Sequence, residues 1–330
     1  MDSMKKLLAL TLSLVLVFSL TACGDKATDK TTGANRNETV YKIGVIQYVQ
    51  HDALDAANKG FFAALDEAGI NYKADQQNAS EEQSACQTIA ETLVNNGNDL
   101  ILAIATPAAI AVVAATSDIP VIVTAVTDPA ESGLVASNEA PGGNVTGTSD
   151  MNPIVNQMAL LHDVLPEAKT VGILYCSAES NSKIQADLAV AACKELGINT
   201  EIFTVASSNE IQQMIESMVG KVDCIYAPTD NVIAAGMTTV AMVANENNLP
   251  TIVGEGGMVK NGGLCTFGID YYKLGYLAGL QAIAILKGEA SPATTPIGYL
   301  DAEDCEFSFN ADTAAALGID VKVFDSYLKK

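Results

Sequence analysis

From residue 40 onward, apolar and polar positions follow two recurring patterns. Residues 43–47 form a short, mostly apolar run, the mark of a strand buried on both faces. Ala57, Phe61, Ala64, Leu65 and Ala68 then recur at helical spacing, and Gly69 supplies a stop. A second strand is predicted over 72–74 and a helix over 80–95. A third strand over 99–105 and a fourth over 119–125 follow, with a helix between them. Continuous apolar strands separated by amphipathic helices predict a parallel sheet covered on both faces.

The same order then repeats. Ile43-Gly44-Val45-Ile46 matches Val171-Gly172-Ile173-Leu174, and Gly69-Ile70-Asn71 matches Gly197-Ile198-Asn199, both at a spacing of 128 residues. Ile119-Pro120-Val121-Ile122-Val123 matches Leu249-Pro250-Thr251-Ile252-Val253, and Gly143, Thr146 and Asp150 match Gly263, Thr266 and Asp270. Four matches in one order predict two similar α/β lobes of Rossmann type. Amphipathic helices at 155–164 and 274–286 follow Asp150 and Asp270. If each lobe's last strand carries the chain into the other lobe, several strands form one hinge, and the tail from Pro296 makes the final crossing. The expected bounds are 40–150 with 271–290 for one lobe, and 151–270 with 291–330 for the other.

The N-terminus has another character. Lys5 and Lys6 precede an uncharged apolar run over 7–20, too short for a confident membrane span, which predicts a signal peptide over 1–22. An N-terminal anchor helix is the alternative. Leu20-Thr21-Ala22-Cys23-Gly24 resembles the lipobox of bacterial lipoproteins, which implies lipidation of Cys23 and anchoring to a membrane surface outside the cytoplasm. Residues 23–39 are polar and without periodicity, a flexible tether.

Charge narrows the partners. The net charge of −21 becomes one unit more negative once Lys5, Lys6 and Asp2 leave with the leader, so phosphate backbones are repelled and nucleic acid is not an expected partner. Six further cysteines, from Cys86 to Cys305, sit in apolar runs and helical patterns with no CxxC, which favours free, mostly buried thiols over a disulfide framework.

The segments Lys42-Ile43-Gly44-Val45, Ala105-Thr106-Pro107-Ala108, Val126-Thr127-Asp128-Pro129, 143–150 (GNVTGTSD), Pro228-Thr229-Asp230-Asn231 and Gly268-Ile269-Asp270-Tyr271 carry a resemblance. The layout resembles the type I periplasmic-binding-protein fold over 40–330. More narrowly, it resembles the ABC-transporter substrate-binding family whose members take up aromatic amino acids such as tryptophan and tyrosine. The resemblance implies a monomer that captures a small, amino-acid-like solute between its lobes. It also implies delivery to the transmembrane subunits of an ABC permease, with no cofactor and no metal.

Ligands of open α/β sheets bind beyond the carboxyl ends of the strands, so candidate residues follow from the strand positions. In the first lobe they are Gln47, His51, Thr106, Pro107, Val126, Thr127 and Asp128. In the second they are Tyr175, Glu179, Asn181, Thr229, Asp230 and Glu255, with Asp270 at the hinge. Thr106 is expected to cap a helix whose first position is Pro107, leaving N–H groups for a carboxylate. Asp230 is either an N-cap or the counter-charge for a ligand ammonium. Asp128 is either a turn residue or part of the cleft. Asp150 and Asp270 occupy equivalent crossings, and either or both cap the helix that follows. Glu179 and Asn181 contact the ligand or cap their own helix.

No GxSxG, GxxxxGK[ST] or HExxH motif is present, and the chain has only two histidines, His51 and His162, so no enzyme is expected. The absence of Trp weakens a sugar-binding reading. A receptor of the same fold, and a nucleoside, a sugar or a branched-chain amino acid as ligand, remain open at this point.

Overall fold

The apolar runs become the strands of two sheets in a computed structural model, which describes residues 39–301 and 304–328. The expected leader, Cys23 and nearly all of the tether lie outside the described residues. The first sheet is built from β1 (Tyr41–Gln47), β2 (Tyr72–Asn78), β3 (Leu100–Ile104), β4 (Val121–Val126) and β5 (Val145–Ser149). Helices α1 (Asp52–Glu67), α2 (Gln83–Asn95) and α3 (Thr106–Ala115) connect the first four of these strands. The strand order is β2-β1-β3-β4-β5, all parallel.

The chain then passes through α4 (Ile154–Val164) into a second sheet. Its strands are β6 (Thr170–Cys176), β7 (Asn199–Val205), β8 (Cys224–Ala227), β9 (Thr251–Val253) and β10 (Cys265–Ile269). Between them lie α5 (Ser180–Glu195), α6 (Ile211–Met218), α7 (Asn231–Ala235), α8 (Met237–Glu246) and α9 (Gly256–Lys260). The order β7-β6-β8-β9-β10 reproduces the first sheet strand for strand. After α10 (Tyr271–Leu286), β11 (Cys305–Phe309) joins β10 antiparallel, and α11 (Ala311–Ala316) follows. The repeated sequence segments are therefore equivalent strands: Ile43 lies in β1 and Val171 in β6.

The helix after each last strand packs on the other half of the molecule. Ile154, Met158 and Leu161 of α4 share a buried apolar cluster with Val171 and Ile173 of β6. Leu274, Ala278 and Ala282 of α10 are buried with Ile43 of β1 and Phe61 of α1. Residues 150–153 and 270–271 thus form two crossings between two separate cores, and the chain makes a third on its way from Gly298, paired with β5, to β11. The segment 291–300, expected with the second lobe, instead lies along β5. There Ser149 N–H donates to Gly298 O (2.9 Å), Gly298 N–H to Gly147 O (2.8 Å) and the Thr146 hydroxyl to Thr295 O (2.7 Å). Backbone pairing with the edge of the first sheet decides its place.

The six described cysteines are unpaired, and all but the half-buried Cys305 are buried. Among the described residues no helix is long and apolar enough to cross a membrane.

Glycines set the distance between α1 and α10. A Cβ on Gly275 would lie 1.9 Å from Ala57 O, one on Gly60 2.0 Å from Tyr272 O, and one on Gly279 2.6 Å from Phe61 O. The two backbones touch directly, and α10 can cover the first sheet only at this separation. Gly275→Ala should therefore cost at least ~2 kcal/mol through overpacking, read as a lower urea midpoint. A midpoint within the equivalent of ~0.5 kcal/mol of wild type would show that the helices separate freely.

Candidate functional site

In each sheet the direction of connection reverses between two neighbouring strands, β1 and β3 in the first and β6 and β8 in the second. Loops leaving such strands diverge and open a crevice at their carboxyl ends. Both crevices contribute to one cavity. His51 follows β1, and Ala125 and Thr127 mark the end of β4. Across from them stand Asn181 after β6 and Thr229, Asp230 and Asn231 after β8. Glu255 and two crossing residues, Asp150 and Tyr271, complete the polar wall. The cavity is about 10 Å³, room for about one water molecule.

The lobes are shut over it by contacts between them. His51 Nε2 lies 3.2 Å from Asn231 Oδ1, and Gln185 Nε2 donates to Thr127 Oγ1 at 3.2 Å. At the rim, Lys260 Nζ lies 2.9 Å from Asp52 Oδ2, and the Ser208 hydroxyl donates to Glu81 Oε2 at 3.1 Å.

The inner side chains are heavily bonded. Asp230 is the N-cap of α7: Oδ1 accepts from Ile233 N–H (2.8 Å), while Oδ2 accepts from Cys176 N–H (2.6 Å). Glu179 reaches the same helix start, accepting from the N–H groups of Val232 (3.2 Å) and Asn231 (3.3 Å). It also accepts from the Asn231 amide (2.5 Å) and the Asn181 amide (3.1 Å). Thr229 donates its hydroxyl to Gln185 Oε1 at 2.6 Å. Glu255 caps α9 through the N–H groups of Gly257 and Met258. Asp150 Oδ2 accepts from the Tyr271 hydroxyl at 2.7 Å, which ties two of the three crossings together. Three buried atoms of this wall have no hydrogen-bond partner: His51 Nδ1, Asp150 Oδ1 and Asn181 Oδ1.

The sequence pattern of the ABC transporter substrate binding protein family matches residues 42–328. The chain belongs to that family. A tyrosine-binding protein of Clostridioides difficile (strain R20291) is 44% identical over 321 residues, 95% of this chain and 92% of the relative. Among solved structures, an ABC domain from Streptococcus pneumonia in complex with L-Trp is 40% identical, covering 88% of this chain and 98% of its own, with a TM-score of 0.84. The ligand-free, open structure of a substrate binding protein with adhesive properties from Clostridium difficile is 41% identical, covering 85% and 95%, yet its TM-score is 0.65. At nearly equal identity, this substrate-binding protein is closer in overall structure to the tryptophan complex than to that open structure. The fold is the type I periplasmic-binding-protein fold.

Six residues singled out from the sequence line the cavity of this family member: His51, Thr127, Asn181, Thr229, Asp230 and Glu255. Glu179 stands behind them. The others have local tasks. Gln47 donates to Val49 O (2.9 Å) and Asp55 Oδ1 (2.7 Å), which fixes the turn into α1. Thr106 is not the N-cap of α3: Ala105 holds that position at a φ of 81°, and Thr106 is the first helical residue. The Thr106 hydroxyl is buried without a partner, and Pro107 is buried beside it. Val126 and Tyr175 pack in the cores. Asp128 closes a turn, accepting from the N–H groups of Ala130 (3.1 Å) and Glu131 (3.2 Å). Asp270 is a partly exposed cap of α10, accepting from the N–H groups of Tyr272 (2.9 Å) and Lys273 (3.1 Å), away from the cavity. Its equivalent, Asp150, lies in the wall. There it accepts from the Tyr271 hydroxyl, a contact that only the folded chain brings about.

Burial dominates the electrostatics. It pushes Asp150 up to about 6 and Glu255 to about 7, while the Tyr271 hydroxyl and the α9 N–H groups respectively pull each part of the way back. Burial and then the Asp230 charge push Glu179 up to about 8. A carboxyl group whose pKa is higher folded than unfolded binds its proton more tightly in the folded state. Its stabilising effect is complete below the unfolded value and is lost as pH rises through the folded one. The melting temperature of the ligand-free protein should therefore fall between pH 5 and 8.5, the window given by the shifts to about 6, 7 and 8. Glu179→Gln should flatten the upper part of that slope. A flat wild-type profile across the window would contradict the assignment.

Proposed function

We propose that this protein captures an aromatic amino acid outside the cytoplasm and delivers it to an ABC permease. It acts as a monomer, held to the membrane by lipid on Cys23. The observation that carries the reading is the cavity wall. It gathers buried acceptors that have no donor, Asp150 Oδ1 foremost, and no Lys or Arg among its lining residues. An α-ammonium group brings both the missing N–H donors and the missing positive charge. For the α-carboxylate, the unpartnered Thr106 hydroxyl and the first turn of α3, which has no side-chain cap, offer donors beside the end of β4.

The tyrosine-binding relative and the tryptophan-bound structure support an aromatic side chain. Such a side chain does not fit a cavity of about 10 Å³. The ligand therefore enters with the lobes apart and holds them somewhat wider than they stand here, a closure driven by contacts made to both lobes at once. Anchoring rests on the lipobox-like residues 20–24. Cys23→Ala should release the protein from the membrane fraction, and retention there would remove the lipid from the proposal.

Titration calorimetry of the purified protein with tyrosine, tryptophan, ribose and leucine tests the ligand class. Saturable heat with the aromatic amino acids is expected, and binding of only leucine or ribose would overturn the reading. Asp150→Asn keeps the shape and the Tyr271 bond but removes the charge. Affinity should fall about tenfold to a hundredfold, the range for a hydrogen bond to a charged group. Thermal stability above pH 6 should hold or rise, because a buried charge has been removed. Unchanged affinity would take the ammonium away from Asp150.

A further inference from the structure

His51 is held in one tautomer by a chain of hydrogen bonds that starts in the opposite lobe. Glu179 Oε2 accepts from the Asn181 amide, the Asn231 backbone N–H and the Asn231 amide, at 3.1, 3.3 and 2.5 Å. Three donors converge on that one oxygen, so the Asn231 amide nitrogen faces Glu179 whether or not the carboxyl carries a proton. Asn231 Oδ1 is then left facing His51 Nε2 at 3.2 Å. An amide oxygen only accepts, which puts the imidazole proton on Nε2. Burial holds His51 below the ordinary imidazole pKa, so the ring is neutral. Nδ1 remains a buried lone pair in the cavity wall with no donor.

The unpartnered acceptors of the wall are thus of two kinds. Asp150 Oδ1 carries charge and sits at a crossing, where it attracts the ammonium. His51 Nδ1 and Asn181 Oδ1 are neutral and come from opposite lobes. A neutral acceptor is matched by a neutral donor, such as a phenol O–H or an indole N–H. We infer that His51 Nδ1 reads a hydrogen-bond donor on the ligand's aromatic side chain, and that the site therefore prefers tyrosine- or tryptophan-like ligands to phenylalanine. The inference rests on the amino-acid reading above. A phenyl ring in the same place would leave Nδ1 buried and unpaired, the situation in which polar sites reject an analogue that lacks the donor.

Calorimetry with tyrosine, tryptophan and phenylalanine on the wild-type protein and on His51→Leu tests it. His51 makes no capping bond to α1, so the substitution removes no cap. Wild type should bind tyrosine or tryptophan about tenfold or more tighter than phenylalanine. His51→Leu should bring that ratio to within about twofold, mainly by weakening the ligand that carries the donor. Nitrogen-15 shifts of the His51 ring should show the proton on Nε2. Equal binding of all three ligands to wild type overturns the inference while leaving the amino-acid reading intact. A ratio that survives in the variant, or a proton found on Nδ1, also overturns it. If none of the three binds, the amino-acid reading falls and this inference with it. The wild-type ratio and ring shifts decide even if the variant fails to fold.

Discussion

The controlling constraint is electrostatic: four carboxyl groups, Asp150, Glu179, Asp230 and Glu255, are buried around one space between the lobes. No lysine or arginine lines the cavity they surround. Charge in such a place is tolerated only when it is hydrogen-bonded, protonated or met by an opposite charge. Asp230 and Glu255 use the first option, as caps of α7 and α9. Glu179 uses the first and shifts toward the second. Asp150 has one oxygen satisfied by Tyr271 and the other without a hydrogen-bond partner, although the Thr127 hydroxyl lies near enough to the carboxyl to offset part of its burial. The wall is therefore complementary to a cation small enough to lie between the lobes.

Topology places that charge where it can act on the hinge. Each sheet reverses its direction of connection once, and loops leaving the strands there line the shared cavity, with His51 after β1, Asn181 after β6 and Asp230 after β8. Asp150 and Tyr271 sit in two of the three crossings, and their bond spans both. A ligand bound to Asp150 is thus bound to the element about which the lobes rotate. In the proposed reading, His51 and Asn181 extend its contacts to one lobe each.

Much of this was legible in the chain. Continuous apolar strands and the spacing of 128 residues between the two Ile/Val-Gly segments foretold two sheets of one topology, because burial on both faces leaves that mark. The sequence marks β2 only over 72–74, since Tyr72–Asn78 is an edge strand with a mostly polar sequence, held by pairing with β1. The place of 291–300 is hidden in the sequence, because backbone bonds along β5 leave no side-chain pattern. At the site, strand ends located six lining residues, but no pattern separates a capping aspartate from a lining one. Asp128 and Asp270 are caps or turns and Asp150 is not, and only the third dimension distinguishes them. The φ values of 81° at Ala105 and 54° at Ala125 were equally invisible. Each costs roughly 1–3 kcal/mol, and they fall at the ends of adjacent strands, β3 and β4, with Ala125 in the cavity wall.

The balance between rim and centre explains why closure can be both secure and reversible. The Lys260–Asp52 pair has side chains 74% and 39% exposed, so it contributes at most about 1 kcal/mol and weakens with salt. Gly257 allows that approach, since a Cβ there would lie 2.8 Å from Asp52 Cβ. Rim contacts of this strength can align the lobes but cannot outweigh unpaired polar atoms at the centre, each costing roughly 1–3 kcal/mol. A ligand that pairs those atoms removes the opposing cost and adds contacts to both lobes. The population of the closed state then follows its differential binding alone. In the proposed reading the buried acceptors thus serve two purposes: they select the ligand, and they oppose closure without it.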